Sequence, residues 1–419
     1  MKEEKLLQKG CRIEYIDGLR GVAAIMVCFG HFLGAFAPEL TNANPAAPFF
    51  QQHPVMKYFV FSPCNIVYNA SLAVFIFFVL SGYVLSYPYF LTGDKKIILP
   101  SMCKRYFRLT IPVFFSCLIA YFCMTLNLFF NHEASVLVQS DFLASKYNFA
   151  PDLYNMVKFA LFDVYFNYNG KVSYNHPLWI MPIELFGSFF CLFLLLLFGS
   201  SRIRYGIYFL LLLLSPYNGW LFFLSPFVLG MMLCDITTRG HKKRMLLNNK
   251  IVLFIFLASG IFLASFKSDK IFAYKALGNN LITDLYGSLS TFFYLNVSAF
   301  FIICVISHSQ FLKTFFSHRM FLFLGRISFM IYLLHFIVLC SLSSFLYCIF
   351  SSLGASQLIC FTVTSAISIP VIILLSYVCH RFVETRSIHL SNKVAAILVS
   401  FGQRIPAALK NTVASFLQL

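Results

Sequence analysis

The chain has 419 residues, 59% hydrophobic and only 11% charged, with a formal net charge of +17 at pH 7. Water-soluble domains carry about 25% charged residues, and a soluble core of this length could not hide so much apolar surface, so lipid must cover it. A basic total can signal nucleic acid, but here Lys and Arg follow the loops between apolar segments, which points to anionic lipid headgroups and away from nucleic acid.

The opening stretch, "MKEEKLLQKGCRIEYIDGLR", is charged and has no apolar run. No cleavable signal peptide is expected, and the first span should act as its own insertion signal. Apolar windows of about 20 residues place spans at 21–37, 70–90, 109–130, 178–198, 205–216, 219–234, 251–266, 286–306, 327–348 and 355–380. The fifth is short, and 153–166 reads as a re-entrant or interfacial helix. With the N-terminus in the cytoplasm, 25 Lys and Arg fall on inside segments and 7 on outside segments, a bias that favours both termini inside. The expected fold is therefore all-α: a polytopic membrane helical bundle of about ten spans. No repeat or soluble appendage is visible, so 1–390 reads as one membrane domain and 391–419 as a cytoplasmic tail. Most of the 13 cysteines fall inside spans and none form a CxxC pair; they read as small hydrophobes, not as disulfides or a metal site.

Few chemically active side chains remain inside the spans. In "DGLRGVAAIMVCFGHF", Arg20 and His31 are separated by about 1100° of helix, within about 20° of three whole turns, so they share one face roughly 16 Å apart. Ionisable groups at membrane depth are costly and usually functional, although a histidine alone can also serve helix packing. Ser81-Gly82-Tyr83 interrupts the second apolar run. Arg105 and Arg108 share a face at the cytoplasmic end of the third span. Two guanidiniums there suit phosphate oxygens, though topology alone would also put basic residues at that end.

Glu184 is the one carboxylate placed well inside a span. Desolvation disfavours its charged form unless it is paired; a histidine partner would solve this and would make that histidine more basic. Pro182 can break the helix and turn carbonyls toward a cavity. Tyr332 and His335 lie three residues apart on one side of the ninth span. The other histidines, His176 among them, fall in loops or at span ends without metal-ligand spacing, so no metal is expected.

These elements together resemble the acyltransferase type 3 family of integral-membrane acyltransferases. The resemblance rests on Arg20 and His31, on Ser81-Gly82-Tyr83, on Arg105 and Arg108, on His176, Trp179 and Glu184, on "RISFMIYLLHF", and on Glu384 in "RFVETRS". Their order is kept from residue 15 to about 388. The sequence departs from the family pattern at Tyr83, at Met181-Pro182 and after Glu384.

The resemblance implies an acyl-CoA donor, most simply acetyl-CoA as co-substrate, held by Arg20, Arg105 and Arg108 with help from Ser81, Gly82 and Tyr83. It implies catalysis by His31, with Glu184 or another polar group orienting the imidazole, and acceptor contacts from Trp179, Tyr332 and His335. The acceptor would be a hydroxyl of a surface glycan, such as a lipopolysaccharide O-antigen or another envelope polysaccharide, and the location a bacterial inner membrane. A transporter or flippase of lipid-linked sugars would share the spans and the buried charges.

Overall fold

The computed structural model describes residues 13–41, 44–46, 48–239, 249–266, 275–278 and 280–404. Among these residues there is no strand; the molecule is a helical bundle. Its long helices are α1 (Glu14–Phe36), α2 (Ala70–Thr92), α3 (Ile98–Thr125), α4 (Met181–Phe198), α5 (Arg204–Leu214), α6 (Gly219–Arg239), α7 (Lys250–Ala264), α8 (Ser290–His308), α9 (Arg319–Val338), α10 (Gln357–Cys379) and α11 (Thr385–Arg404).

Each sequence-derived span corresponds to one of α1 to α10. Among the described residues, eight helical segments are long and apolar enough to cross a membrane. Two of the expected spans fall short of that length: α5 with 11 residues and α7 with 15. The third span starts earlier than its apolar run suggests, because the basic turn holding Lys104, Arg105 and Arg108 is already helical. The stretch 153–166 forms a helix with a wide π turn at Phe159–Asp163.

Local chemistry sets the helix ends. Glu14 and Asp17 in the first turn of α1 complement its positive end, and Pro38 follows directly after its last turn. Asn69 caps α2 by accepting from the Leu72 amide at 2.9 Å, and Gly93 closes it in the left-handed region at φ 73°. The expected boundary at residue 390 falls inside α11. Ser387 of that helix donates to the Phe107 and Arg108 carbonyls of α3, and Ser391 and Ala395 are buried. The first part of the expected tail is thus a helix packed on the bundle.

Two close helix crossings position everything that follows, both built on glycine. A Cβ on Gly82 would lie 2.1 Å from the Phe227 carbonyl oxygen, and one on Gly230 would lie 1.9 Å from that of Val79, so α2 and α6 meet backbone to backbone. Phe75 meets Phe222, Phe78 meets Phe227 and Tyr83 meets Thr237, so these two helices run in the same direction. The chain must therefore reverse an even number of times between them, and α3, α4 and the short α5 lie between those reversals.

The second crossing joins α1 and α9. A Cβ on Gly21 would lie 2.5 Å from the Gly325 nitrogen, and one on Gly325 would lie 2.1 Å from the Asp17 carbonyl oxygen. Ten residues farther along each helix, His31 meets His335. Equal offsets mean that α1 and α9 run parallel and in register.

Candidate active site

Two groups of side chains, one toward each end of α1, form the site. The first lines a cleft of about 950 Å³, open mouth included. Arg20 from α1, Ser81 from α2, Arg105 and Arg108 from α3, Glu184 from α4 and Glu384 beyond α10 all face it. Arg105 pairs with Glu184 through Nη2 and Oε1, and its Nε donates to Ser188 Oγ at 2.6 Å. Ser81 Oγ donates to the same Glu184 oxygen at 2.7 Å. Glu384 accepts from His380 Nδ1 at 2.8 Å within a π turn.

Arg20 and Arg108 have no ion-pair or hydrogen-bond partner among the described residues, although both face the cleft. Guanidiniums left without carboxylate partners in a confined cleft suit an anionic ligand, since their fork matches phosphate oxygens. Arg105, already neutralised, instead fixes one wall.

The second group lies farther along α1. His31 Nδ1 and His335 Nε2 are 2.8 Å apart, and the two rings are parallel within 3°. His335 Nδ1 lies 3.0 Å from the Ile331 carbonyl oxygen one turn back on α9. A carbonyl oxygen only accepts, so His335 Nδ1 carries a proton. His335 is wholly buried, and a second proton would need an acid, of which none lies in hydrogen-bond reach among the described residues. Its Nε2 is then an acceptor, and the proton between the rings belongs to His31 Nδ1. The remaining nitrogen, His31 Nε2, keeps its lone pair and has no partner among the described residues.

Phe142 stacks against His31 at 5.8 Å between centroids, and Phe336 meets it edge-on at 5.8 Å. Tyr332 lines the arginine cleft, donates to the Pro177 carbonyl at 2.6 Å and lies 5.9 Å from the His335 ring. It stands between the cleft and the histidine pair.

Several expected residues sit elsewhere than expected. Glu184 does not hydrogen-bond to His31; it lies in the arginine cleft, where Arg105 supplies the cation that a buried carboxylate needs. Gly82 lies in the α2–α6 crossing and does not line the cleft. Tyr83 points the other way, where its hydroxyl meets Thr237 Oγ1 at 3.0 Å. Trp179 is exposed and lies outside the cleft.

His176, read from the sequence as a loop residue, belongs to the histidine group. Its ring lies 5.1 Å from Phe336 and 6.0 Å from Phe142. Its signal was its place just before Trp179 and Glu184. Among the described residues no cluster of three or more His, Cys, Asp or Glu could hold a metal ion.

A family model described as an acyltransferase domain matches residues 13–381. The chain belongs to the acyltransferase type 3 family. Comparison with the curated proteins and with the solved structures returned no match. The match begins just before α1 and ends in the π turn after α10, so both side-chain groups of this membrane acyltransferase, except Glu384, lie inside it. Membership in an acyltransferase family decides for acyl transfer over transport of lipid-linked sugars.

Proposed function

We propose that the protein moves an acetyl group from acetyl-CoA to a hydroxyl of a cell-envelope glycan, with His31 as general base. The observation that carries this reading is the histidine pair, which leaves an unprotonated Nε2 on His31 beyond a cleft holding two unpaired arginines. CoA is a polyanion with a long thin arm. Its phosphates suit Arg20 and Arg108, and the arm can follow the roughly 16 Å from Arg20 to His31.

In this mechanism His31 Nε2 takes the acceptor hydroxyl proton as the oxygen attacks the thioester carbonyl. The tetrahedral intermediate collapses with cleavage of the C–S bond, and the CoA thiolate leaves and takes the proton back from Nε2. His335 accepts from His31 Nδ1 throughout, so the imidazolium that forms is stabilised by a group already in place. Tyr332 keeps the two ends apart until the donor arm passes it. The acceptor reaches His31 from the end of α1 remote from the arginines, which for a bacterial inner-membrane protein is the periplasmic side, so the acetyl group crosses the bilayer in transit.

The test is to compare the O-acetyl content of surface glycans with and without the gene, and after complementation by wild type or by His31→Ala. Wild type should restore acetylation and His31→Ala should not. Unchanged glycans on deletion, or full rescue by His31→Ala, would sink the reading.

A further inference from the structure

Beside the histidine pair lies a cation that the mechanism does not use. Lys146 Nζ sits 5.2 Å from the centroid of Phe142, the ring that stacks on His31. The ammonium and the reacting imidazole thus border the same aromatic ring, and the charge lies near enough to act on both His31 and His176. Lys146 is half-buried and has no ion-pair partner among the described residues. Its burial holds its pKa below the ordinary lysine value.

The loop around it is built to hold this position. The wholly buried Asn131 donates to the carbonyls of Leu143 at 3.0 Å and of Lys146 at 3.2 Å. The next residue, Tyr147, adopts the left-handed region at φ 56° and stacks on Phe129 at 4.1 Å. Such a conformation persists in a tyrosine only where the surroundings enforce it. A second polar atom is also unsatisfied here: His176 Nδ1 is buried without a hydrogen-bond partner.

A half-buried ammonium with no counter-ion among the described residues and a buried unpaired ring nitrogen, bordering one aromatic ring, describe a place for a polar ligand that brings negative charge. We propose that the acceptor is an acidic glycan, whose carboxylate or phosphate is bound by Lys146 while a neighbouring hydroxyl faces His31 Nε2. Lys146 and His31 border the same ring, so a single sugar can present its anion to the one and a hydroxyl to the other. This inference rests on the proposed function only for the statement that the ligand is the acceptor; the anion site stands on the residues themselves.

The test uses purified full-length protein in nanodiscs of uncharged phosphatidylcholine, as wild type, Lys146→Met and Lys146→Arg. The probes are methyl β-glucoside, its uronate and its 6-phosphate, with the galactose series alongside, and binding is read by saturation-transfer NMR. In wild type the acidic sugars should bind about tenfold or more tightly than their neutral partners. Lys146→Met should erase that gap and Lys146→Arg should keep most of it, with CoA affinity unchanged in both. A preference for uronate over phosphate, or the reverse, names the anion. Equal affinity for acidic and neutral sugars, no binding of either, or a gap that survives Lys146→Met would overturn the proposal. Acetyl-CoA turnover is assayed on the same samples: a preserved acid preference without any turnover would refute the proposed function and leave the anion site standing.

Discussion

Replacing His335 with Phe isolates the contribution of one hydrogen bond to the proposed chemistry. Phenylalanine keeps an aromatic ring in a wholly buried position and keeps the parallel contact with His31, so packing changes little. The Ile331 carbonyl loses only a second donor, since the helix backbone still serves it. What is removed is the acceptor for His31 Nδ1–H, and with it the bias that leaves the lone pair on Nε2. Loss of one such bond is worth about 1–3 kcal/mol, or roughly 5- to 150-fold in rate. The effect should fall on turnover and leave donor affinity alone, because His335 does not line the arginine cleft.

Two assays check this. Steady-state kinetics should show a lower kcat at constant KM for acetyl-CoA. Nitrogen-15 spectra of histidine-labelled protein should show the His31 signal moving from a single Nδ1–H tautomer to a mixture. Wild-type turnover together with an unchanged His31 spectrum in His335→Phe would refute the assignment of protons along this pair.

The other substitutions read different parts of the site. His31→Ala should lower transfer by about 10²–10⁴-fold while the protein still binds CoA, checked by titration of the purified variant. Glu184→Gln should act on the donor cleft: it leaves Arg105 uncompensated beside Arg20 and Arg108, so CoA affinity should hold or rise, while the midpoint of thermal unfolding falls and the pH–rate profile of His31 does not move. Arg108→Lys keeps the charge but loses the fork, so its CoA affinity should fall with no change in thermal stability. Gly82→Ala should cost about 1–3 kcal/mol of stability, read in a denaturant or thermal melt, because its new methyl meets the Phe227 backbone.

Much of this architecture is legible before any coordinates. Apolar windows locate ten of the eleven long helices because lipid imposes one simple rule on the segments that face it, and helical geometry puts Arg20 and His31 on one face. Pairings across the bundle were less accessible. Glu184 was expected beside a histidine because burial demands a partner but does not say which; Arg105 answers that demand from 79 residues away. His31 and His335 are 304 residues apart, and no local periodicity connects them. One signal does: "GVAAIMVCFGH" and "GRISFMIYLLH" both place a histidine ten residues after a glycine. Gly82 was read as part of a ligand motif, whereas its lack of a side chain serves the contact with α6. Charge and polarity were better guides to function than small size, which packing explains equally well.

The register between α1 and α9 has a consequence for how this protein can vary. The two helices act as paired rulers, both starting at the Gly21–Gly325 contact and both ending at an imidazole. Inserting one residue into either ruler turns its histidine by about 100°; inserting one into both turns the two rings in the same sense and also parts them. Only additions close to whole turns, such as about seven residues to each, would restore the pair, and that one would shift it by roughly 10 Å along the helix axes. The depth of the reaction in the bilayer is thus counted in whole turns, and lineages of this chain should tolerate many substitutions within these intervals but no change in their length.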